Sequence, residues 1–526
     1  MTATQQPAVL SQVSEKRALR VLRKHPQLYE INLWPWLDRL SVQTKQQITL
    51  GSIPDSELDK LKDLGFDLIY MMGVWTRSRI GRTLSRSLTH LFSDYDAALP
   101  GWTMQDVVGS PFSIQAYEPD PHVGTWNDLA GLLDRLHDRG MRLILDFVPN
   151  HTGPDHDWVR QNPEFYIQGT LEDFKHAPQD FCLSELDDGN VNFIACGRDP
   201  NFAPWRDTVQ LNYFNPRFRR AMLAELGAIS QFCDGVRCDM AMLLLNDTFA
   251  QTWQRQLQNW TKPQQEFWQE AIESLPGFIW MAEAYSNTEW QLQQLGFQFT
   301  YDKSFYDRLR DNSVHELRLH LAADQNYQSC SVRFLENHDE LRSQLVFADR
   351  LPAVAVLMGT VPGMHFYHDG QLDGRKRRIP VQLARAAEEP PDERVRGIYQ
   401  KVLHISNGLS FHEGVWTQLD PILCRCQPNT SFLRAILPAA RPLPEHRSLQ
   451  PRCRRRRLRA PSQCPAPGRQ QNGRADPDHL LHRCPSFPPN GVSPLCRRVR
   501  HSGKLPTASG TRWPDSGIAT LEKDVP

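Results

Sequence analysis

The sequence predicts an α/β protein, a closed (β/α)8 TIM barrel with an insertion after its third strand. Three observations predict it. Eight short apolar segments recur between residues 30 and 370. Most are separated by stretches with helix length and helix periodicity. No glycine-rich phosphate turn follows the first strand, which argues against the doubly wound open sheet that the same alternation allows.

In chain order, EINLW (30–34) reads as a strand and SELDKLKDLG (56–65) as a helix closed by glycine. FDLIYMMGVW (66–75) is a second strand. TWNDLAGLLDRLHDRG (125–140) is a helix with Thr125 at its N-cap. MRLILDFVPN (141–150) is the third strand, and residues 152–212 follow it, rich in Gly, Pro, Asp and aromatics. A connection of that length is a functional loop or a small subdomain. The helix PRFRRAMLAELGAISQF (216–232) leads into the strand CDGVRCDM (233–240). FIWMAEA (278–284), FQFTYD (297–302), SVRFLEN (331–337) and GMHFYH (363–368) complete the eight.

The expected organisation is an N-terminal extension (1–29), a barrel (30–151 and 213–405) and an inserted domain B (152–212). The start of a C-terminal β domain (406–436) and an atypical tail (437–526) follow. The formal net charge is zero, so no global electrostatic partner is implied. The first thirty residues hold no apolar run of the kind a secretory signal carries. No apolar run reaches transmembrane length. Eleven cysteines without metal-ligand spacing read as reduced thiols of a cytoplasmic protein.

Within GVRCDMAML (235–243), Arg237 and Asp239 interrupt an otherwise apolar run. Charges are rarely buried unless paired or functional. Asp146, Glu283 and Asp339 also follow apolar runs, each on a different strand. Singly, each reads as a helix cap or a surface group. Together, acids converging on one barrel mouth must split their pKa values, which a general acid beside an ionised nucleophile requires.

DFVPNH, GVRCD, the Glu after FIWMA, and ENHD resemble the four signature segments of the α-amylase superfamily, glycoside hydrolase family 13, in the family's order. GSPFSIQAYEPDPHVGTWNDL, VQLNYFNP and PGMHFYHDGQ resemble its supporting text, and the likeness covers roughly residues 25–430. The resemblance implies a retaining mechanism on α-glucosidic bonds. It makes Asp239 the nucleophile, Glu283 the general acid and then base, and Asp339 the stabiliser of the distorted sugar. It makes Arg237 the residue that aims Asp239, and Asp146, His151 and His338 contacts of the reacting sugar. Phe112 stands where the family often has a tyrosine stacked on that sugar; it stacks there or packs in the core. Asn150 is similar to a calcium ligand of many amylases, with Asp155 and Asp187 as further candidates by composition. The two-carboxylate chemistry itself needs no cofactor.

The sequence departs from the common amylase pattern at Met242 and Leu243, where many amylases carry Lys-His toward the leaving group. Branches acting on sucrose or trehalose also lack that pair. The expected partner is therefore an α-glucan or α-glucoside, with hydrolase, transglycosidase or isomerase chemistry, or a catalytically silent barrel relative, left open. Neither nucleic acid nor membrane is expected.

From Leu437 on, Arg and Pro dominate and Lys nearly vanishes, as in PRCRRRRLRAPSQCPAPGRQ. A basic tail for an acidic partner and plain disorder are two readings. A GC-rich gene read out of frame from about residues 436–440 fits better. A disrupted β domain would leave apolar surface uncovered and the chain poorly stable. Translation of the coding DNA downstream of that point is expected to give strand-like text in another frame. Its absence from both other frames removes the idea.

Overall fold

The computed structural model describes residues 21–185 and 191–419 and the backbone of residues 435–436. Eight parallel strands form the centre: β1 (Gln27–Asn32), β2 (Leu68–Met72), β3 (Arg142–Phe147), β4 (Gly235–Cys238), β5 (Ile279–Ala282), β6 (Phe299–Tyr301), β7 (Ser331–Phe334) and β8 (Met364–His368). Each pairs with its neighbour in sequence and β8 pairs with β1, so the sheet closes without an edge. These are the eight expected strands. Strands β2, β5, β7 and β8 are buried at every position, because helices cover the outside and side chains fill the inside. Burial on both faces makes them read as apolar runs rather than as alternation.

The first strand is displaced from its expected position. It begins at Gln27, and the chain turns into a helix at Leu33. Gln27 and Glu30 are polar yet wholly buried, which hides the strand's start. Pro35 lies in the first helical turn, where its missing N–H is not needed. The expected helices form at Asp55–Asp63, Trp126–Asp138 and Pro216–Ile229. Thr125 caps the second: it accepts from Asp128 N, and the Asp128 carboxylate accepts from Thr125 N.

Gly235 lets β4 approach β5. A Cβ there would stand 2.4 Å from the Ile279 carbonyl oxygen, so no larger residue fits without moving backbone. The same approach sets Arg237 level with Asp146 on β3 and Met281 on β5.

Two excursions leave the C-terminal ends of the strands, the face where barrel enzymes place their sites. One spans residues 73–124 and was not anticipated as a substructure. Its Trp75–Arg77 strand pairs antiparallel with Ile114–Pro119, and it carries Phe112. The other is the expected insertion. His151–Thr152 pairs with Val209–Gln210, pinning its entrance to its exit. Beyond that pin, Val191–Ala195 lies between Gln168–Gly169 and Phe181–Glu185 in an antiparallel sheet.

After the helix Glu393–Ser406, Thr417–Gln418 pairs antiparallel with Ala435–Ile436, where a C-terminal β domain was expected to begin. The tail 437–526 and the first twenty residues lie outside the described residues. No described helix is long and apolar enough to cross a membrane.

Candidate active site

Arg237 answers for its own burial. It is 1 % exposed, and its two terminal nitrogens reach two different strands' carboxylates. Nη1 lies 2.6 Å from Asp239 Oδ1, and Nη2 lies 2.7 Å from Glu283 Oε2. Its flat faces meet the Phe112 and Tyr301 rings, with centroids 5.2 and 5.6 Å away. Thus β4 and β5, neighbours in the barrel, present the two acids side by side.

The turn after Asp239 fixes Glu283. Met240 has φ +44°, a left-handed conformation rare for a residue with a Cβ. There its N–H donates to Glu283 Oε2 at 2.8 Å. Tyr285 donates its hydroxyl to the other oxygen, Oε1, at 2.7 Å. Burial pushes the Glu283 carboxyl up to about 7 against the pull of Arg237, with Asp239 and Asp339 adding repulsion. Burial lifts Asp239 as well, and Arg237 opposes it through charge and hydrogen bond. The two acids titrate as one system rather than independently.

Asp339 is the open member, its side chain 51 % exposed at the mouth. Its Oδ2 stands 3.1 Å from His338 Nε2. On its other side His338 donates Nδ1–H to Glu30 Oε1 at 2.5 Å. Burial disfavours a charged His338, yet Asp339 and Glu30 hold its pKa well above the ordinary histidine value. The resulting imidazolium keeps Asp339 below the usual carboxylate range, outweighing what burial the mouth provides. Phe112, half-buried, lies against the His338 ring with centroids 5.3 Å apart. It therefore packs against both the His338 ring and the Arg237 guanidinium.

His151 is 4 % exposed and touches Trp205 of the insertion, ring centroids 5.2 Å apart. Burial pushes its pKa down to about 4, so it is a neutral hydrogen-bonding group near neutrality. The field of Glu283 and the backbone of Phe112 both act on it, which places it in the same cluster.

Two of the expected site residues have protein partners in this structure. Asp146, expected to contact the sugar, is wholly buried with both oxygens taken. Tyr70 donates to Oδ1 at 2.6 Å and Gly73 N donates to Oδ2 at 2.7 Å. Gly73 holds φ +87°, which turns its N–H toward the acid. Asp146 ties β3 to β2 beneath the site. Asn150, expected to bind calcium, exchanges hydrogen bonds with Gln210: its amide donates to Oε1 at 3.2 Å and its Oδ1 accepts from Nε2 at 3.0 Å. Asp155 accepts from Ser78 and from the Arg79 N–H, and Asp187 lies outside the described residues. Among the described residues no group of three acids, histidines or cysteines is placed to hold a metal ion.

Sequence reasoning missed Glu30, His368, Tyr70 and Tyr285. Glu30 is wholly buried on β1, and His368 Nδ1 reaches its second oxygen at 2.8 Å. The two histidines hold Glu30 well below the ordinary carboxylate range despite burial. A charge inside an apolar strand, the signal that marked Arg237, also marks Glu30.

Residues 53–380 match the family model for the alpha amylase catalytic domain. The chain belongs to the alpha-amylase family. It is 23 % identical to alpha-amylase 3 of Dictyoglomus thermophilum over 295 residues, 51 % of this chain and 54 % of that protein. It is 32 % identical to the trehalose synthase/amylase TreS of Mycolicibacterium smegmatis over 133 residues, 23 % of this chain and 22 % of TreS. It thus spans about half of one relative and about a fifth of the other. The crystal structure of an alpha-amylase from Lactobacillus plantarum matches with TM-score 0.53 at 21 % identity, covering 75 % of this chain and 83 % of that one. That likeness shows the shared amylase barrel.

Because Glu30 is buried against the charged His338 ring and His368, Glu30→Gln is expected to cost about 3 kcal/mol of unfolding free energy. Urea unfolding at pH 7 measures it. The same variant should lower the pKa of His338, read by imidazole NMR. A wild-type urea midpoint together with an unmoved His338 would falsify this role.

Proposed function

We propose that this chain is a retaining glycoside hydrolase acting on α-glucosidic bonds of oligo- or polysaccharides. The observation that carries the proposal is the single guanidinium of Arg237 shared by Asp239 and Glu283. Close pairing of two carboxylates, roughly 5–5.5 Å apart in retaining enzymes, suits attack by one while the other donates a proton. Asp239 attacks the anomeric carbon as Glu283 passes its proton to the departing glycosidic oxygen. A covalent glycosyl-enzyme forms and the aglycone leaves as an alcohol. Glu283, now ionised, takes a proton from water, whose oxygen displaces Asp239 from the anomeric carbon. Asp339, open at the mouth and ionised beside His338, accepts hydrogen bonds from sugar hydroxyls. His151 contributes a neutral imidazole, and Phe112 an apolar face for the ring's C–H groups.

A second reading, a transglycosidase or isomerase acting on sucrose or trehalose, rests on the aglycone side. Met242 and Leu243 fill the turn Ala241–Leu244 at 3 and 5 % exposure and offer no polar side-chain group to a leaving sugar. The chemistry to the glycosyl-enzyme is the same; only the acceptor differs. A silent relative is disfavoured by the retained Asp239, Glu283 and Asp339.

Maltoheptaose, sucrose and trehalose offered separately to the purified chain discriminate these readings. Release from maltoheptaose supports the hydrolase, and transfer or isomerisation of a disaccharide supports the second reading. Asp239→Asn is expected to abolish turnover by about a thousandfold or more. Folded protein inert toward all three sugars sinks both enzymatic readings.

The general-acid role predicts a pH profile. Glu283 must enter protonated, so kcat/KM should fall as pH rises through about 7. Tyr285→Phe removes a hydrogen bond that favours the ionised carboxyl. The alkaline limb should therefore move to higher pH in that variant. A shift to lower pH contradicts the assignment.

A further inference from the structure

Cys182 and Cys196 lie fourteen residues apart in the insertion, Cys182 on an outer strand of its sheet and Cys196 immediately after the central one. Cys182 pairs in register with Ile194, and alternation brings Cys196, two residues on, to the same face. Their Sγ atoms are 3.5 Å apart, in contact, and both are free thiols. The two differ in access. Cys182 is partly exposed, whereas Cys196 is 1 % exposed. The Cys196 thiol hydrogen-bonds the Cys182 sulfur and, against burial, favours its thiolate. An accessible thiol with a favoured thiolate beside a buried partner is the arrangement of an attacking and a resolving cysteine. The described cysteines outside the insertion, Cys233, Cys238 and Cys330, are at other places in the barrel.

We propose that Cys182 and Cys196 form a dithiol modification site that a low-molecular-weight disulfide converts to an intramolecular disulfide bond. The Cys182 thiolate attacks one sulfur of the small disulfide, forming a mixed disulfide and expelling one thiolate. Cys196 then loses its proton and attacks Cys182 Sγ, forming the internal bond and expelling the second thiolate. Two protein thiols are oxidised and one small disulfide is reduced to two thiols, with the two protein protons passing to them.

The bond would be made against the wall of the site. Cys196 precedes Gly197, whose carbonyl accepts from Trp205 N at 2.7 Å, and Trp205 is the ring that touches His151. Cys182 itself reaches the Arg206 carbonyl, Sγ to oxygen 3.8 Å. The inference is independent of the proposed hydrolase activity.

The test uses the folded full chain, its native circular dichroism verified before and after treatment with oxidised glutathione near pH 7.5. Remaining thiols are alkylated and the protein is digested with trypsin. Residues 176–198 contain no lysine or arginine before Arg198, so both cysteines fall in one tryptic peptide. The expected result is that peptide unalkylated and lighter by two hydrogen atoms, and restored to doubly alkylated form by dithiothreitol. Cys182→Ser and Cys196→Ser should each abolish the closed form. A doubly alkylated peptide after oxidation overturns the proposal. So does a stable glutathione adduct on Cys182 with Cys196 still alkylated, or closure only in denaturant.

Discussion

The buried guanidinium of Arg237 is the constraint around which the mouth is arranged. An unpaired charge at 1 % exposure is untenable, so the fold must supply counter-charge within reach. It does so from two strands at once, and the two counter-charges are the carboxylates the chemistry needs. The Phe112 and Tyr301 rings also pack against the guanidinium. Orientation of the acids and neutralisation of the cation are therefore one requirement. Three further devices depend on it: the narrow β4–β5 approach at Gly235, the left-handed turn at Met240 and the tyrosine on Glu283.

Five acids crowd this end of the barrel, and each is stabilised differently. Asp239 and Glu283 share Arg237. Asp146 is neutralised by no cation in contact and relies on a hydroxyl and a backbone N–H. Glu30 sits between two imidazoles, and Asp339 uses one of the same rings from the solvent side. His338 thus couples a wholly buried acid to the most exposed one. This partition separates their proton affinities: Glu283 is pushed up to about 7 while Asp339 is held below its ordinary value. Without that spread, acids so close would protonate at random as a group.

The strands were legible because each is buried on both faces and flanked by helices with caps, as at Thr125. Arg237, Asp239, Glu283, Asp339, His151 and His338 were legible because motifs carry them at strand ends, and the barrel brings them to one mouth. Asp146 was marked for the same reason. A strand-end acid looks alike whether it faces a ligand or takes a neighbour's N–H; here Tyr70 on β2 and Gly73 just after it occupy the two carboxylate oxygens. Tyr70 and Tyr285 were illegible because a tyrosine in an apolar run reads as packing until its hydroxyl's partner is known. The excursion over 73–124 escaped notice because its antiparallel strands are short and bulged, leaving little alternation to detect.

The change in composition near residue 437 meets a barrel that is already closed. Strand β8 pairs with β1, and Asn407 clasps the opposite end of the chain: its Oδ1 accepts from Arg23 at 2.7 Å and Gln27 at 3.1 Å, and its amide donates to the Leu64 carbonyl at 2.9 Å. Every residue of the Arg237 cluster precedes that clasp. The segment leaving the barrel is another matter. Ile405, Leu409 and Val415 are 51, 67 and 69 % exposed, three large apolar side chains within eleven residues of sequence. Apolar surface of that kind is normally covered, and the short strand Thr417–Gln418 lies next to it in the chain. The composition changes at residue 437, beyond this exposed segment. The placement of Asp239 and Glu283 depends on contacts made well before it.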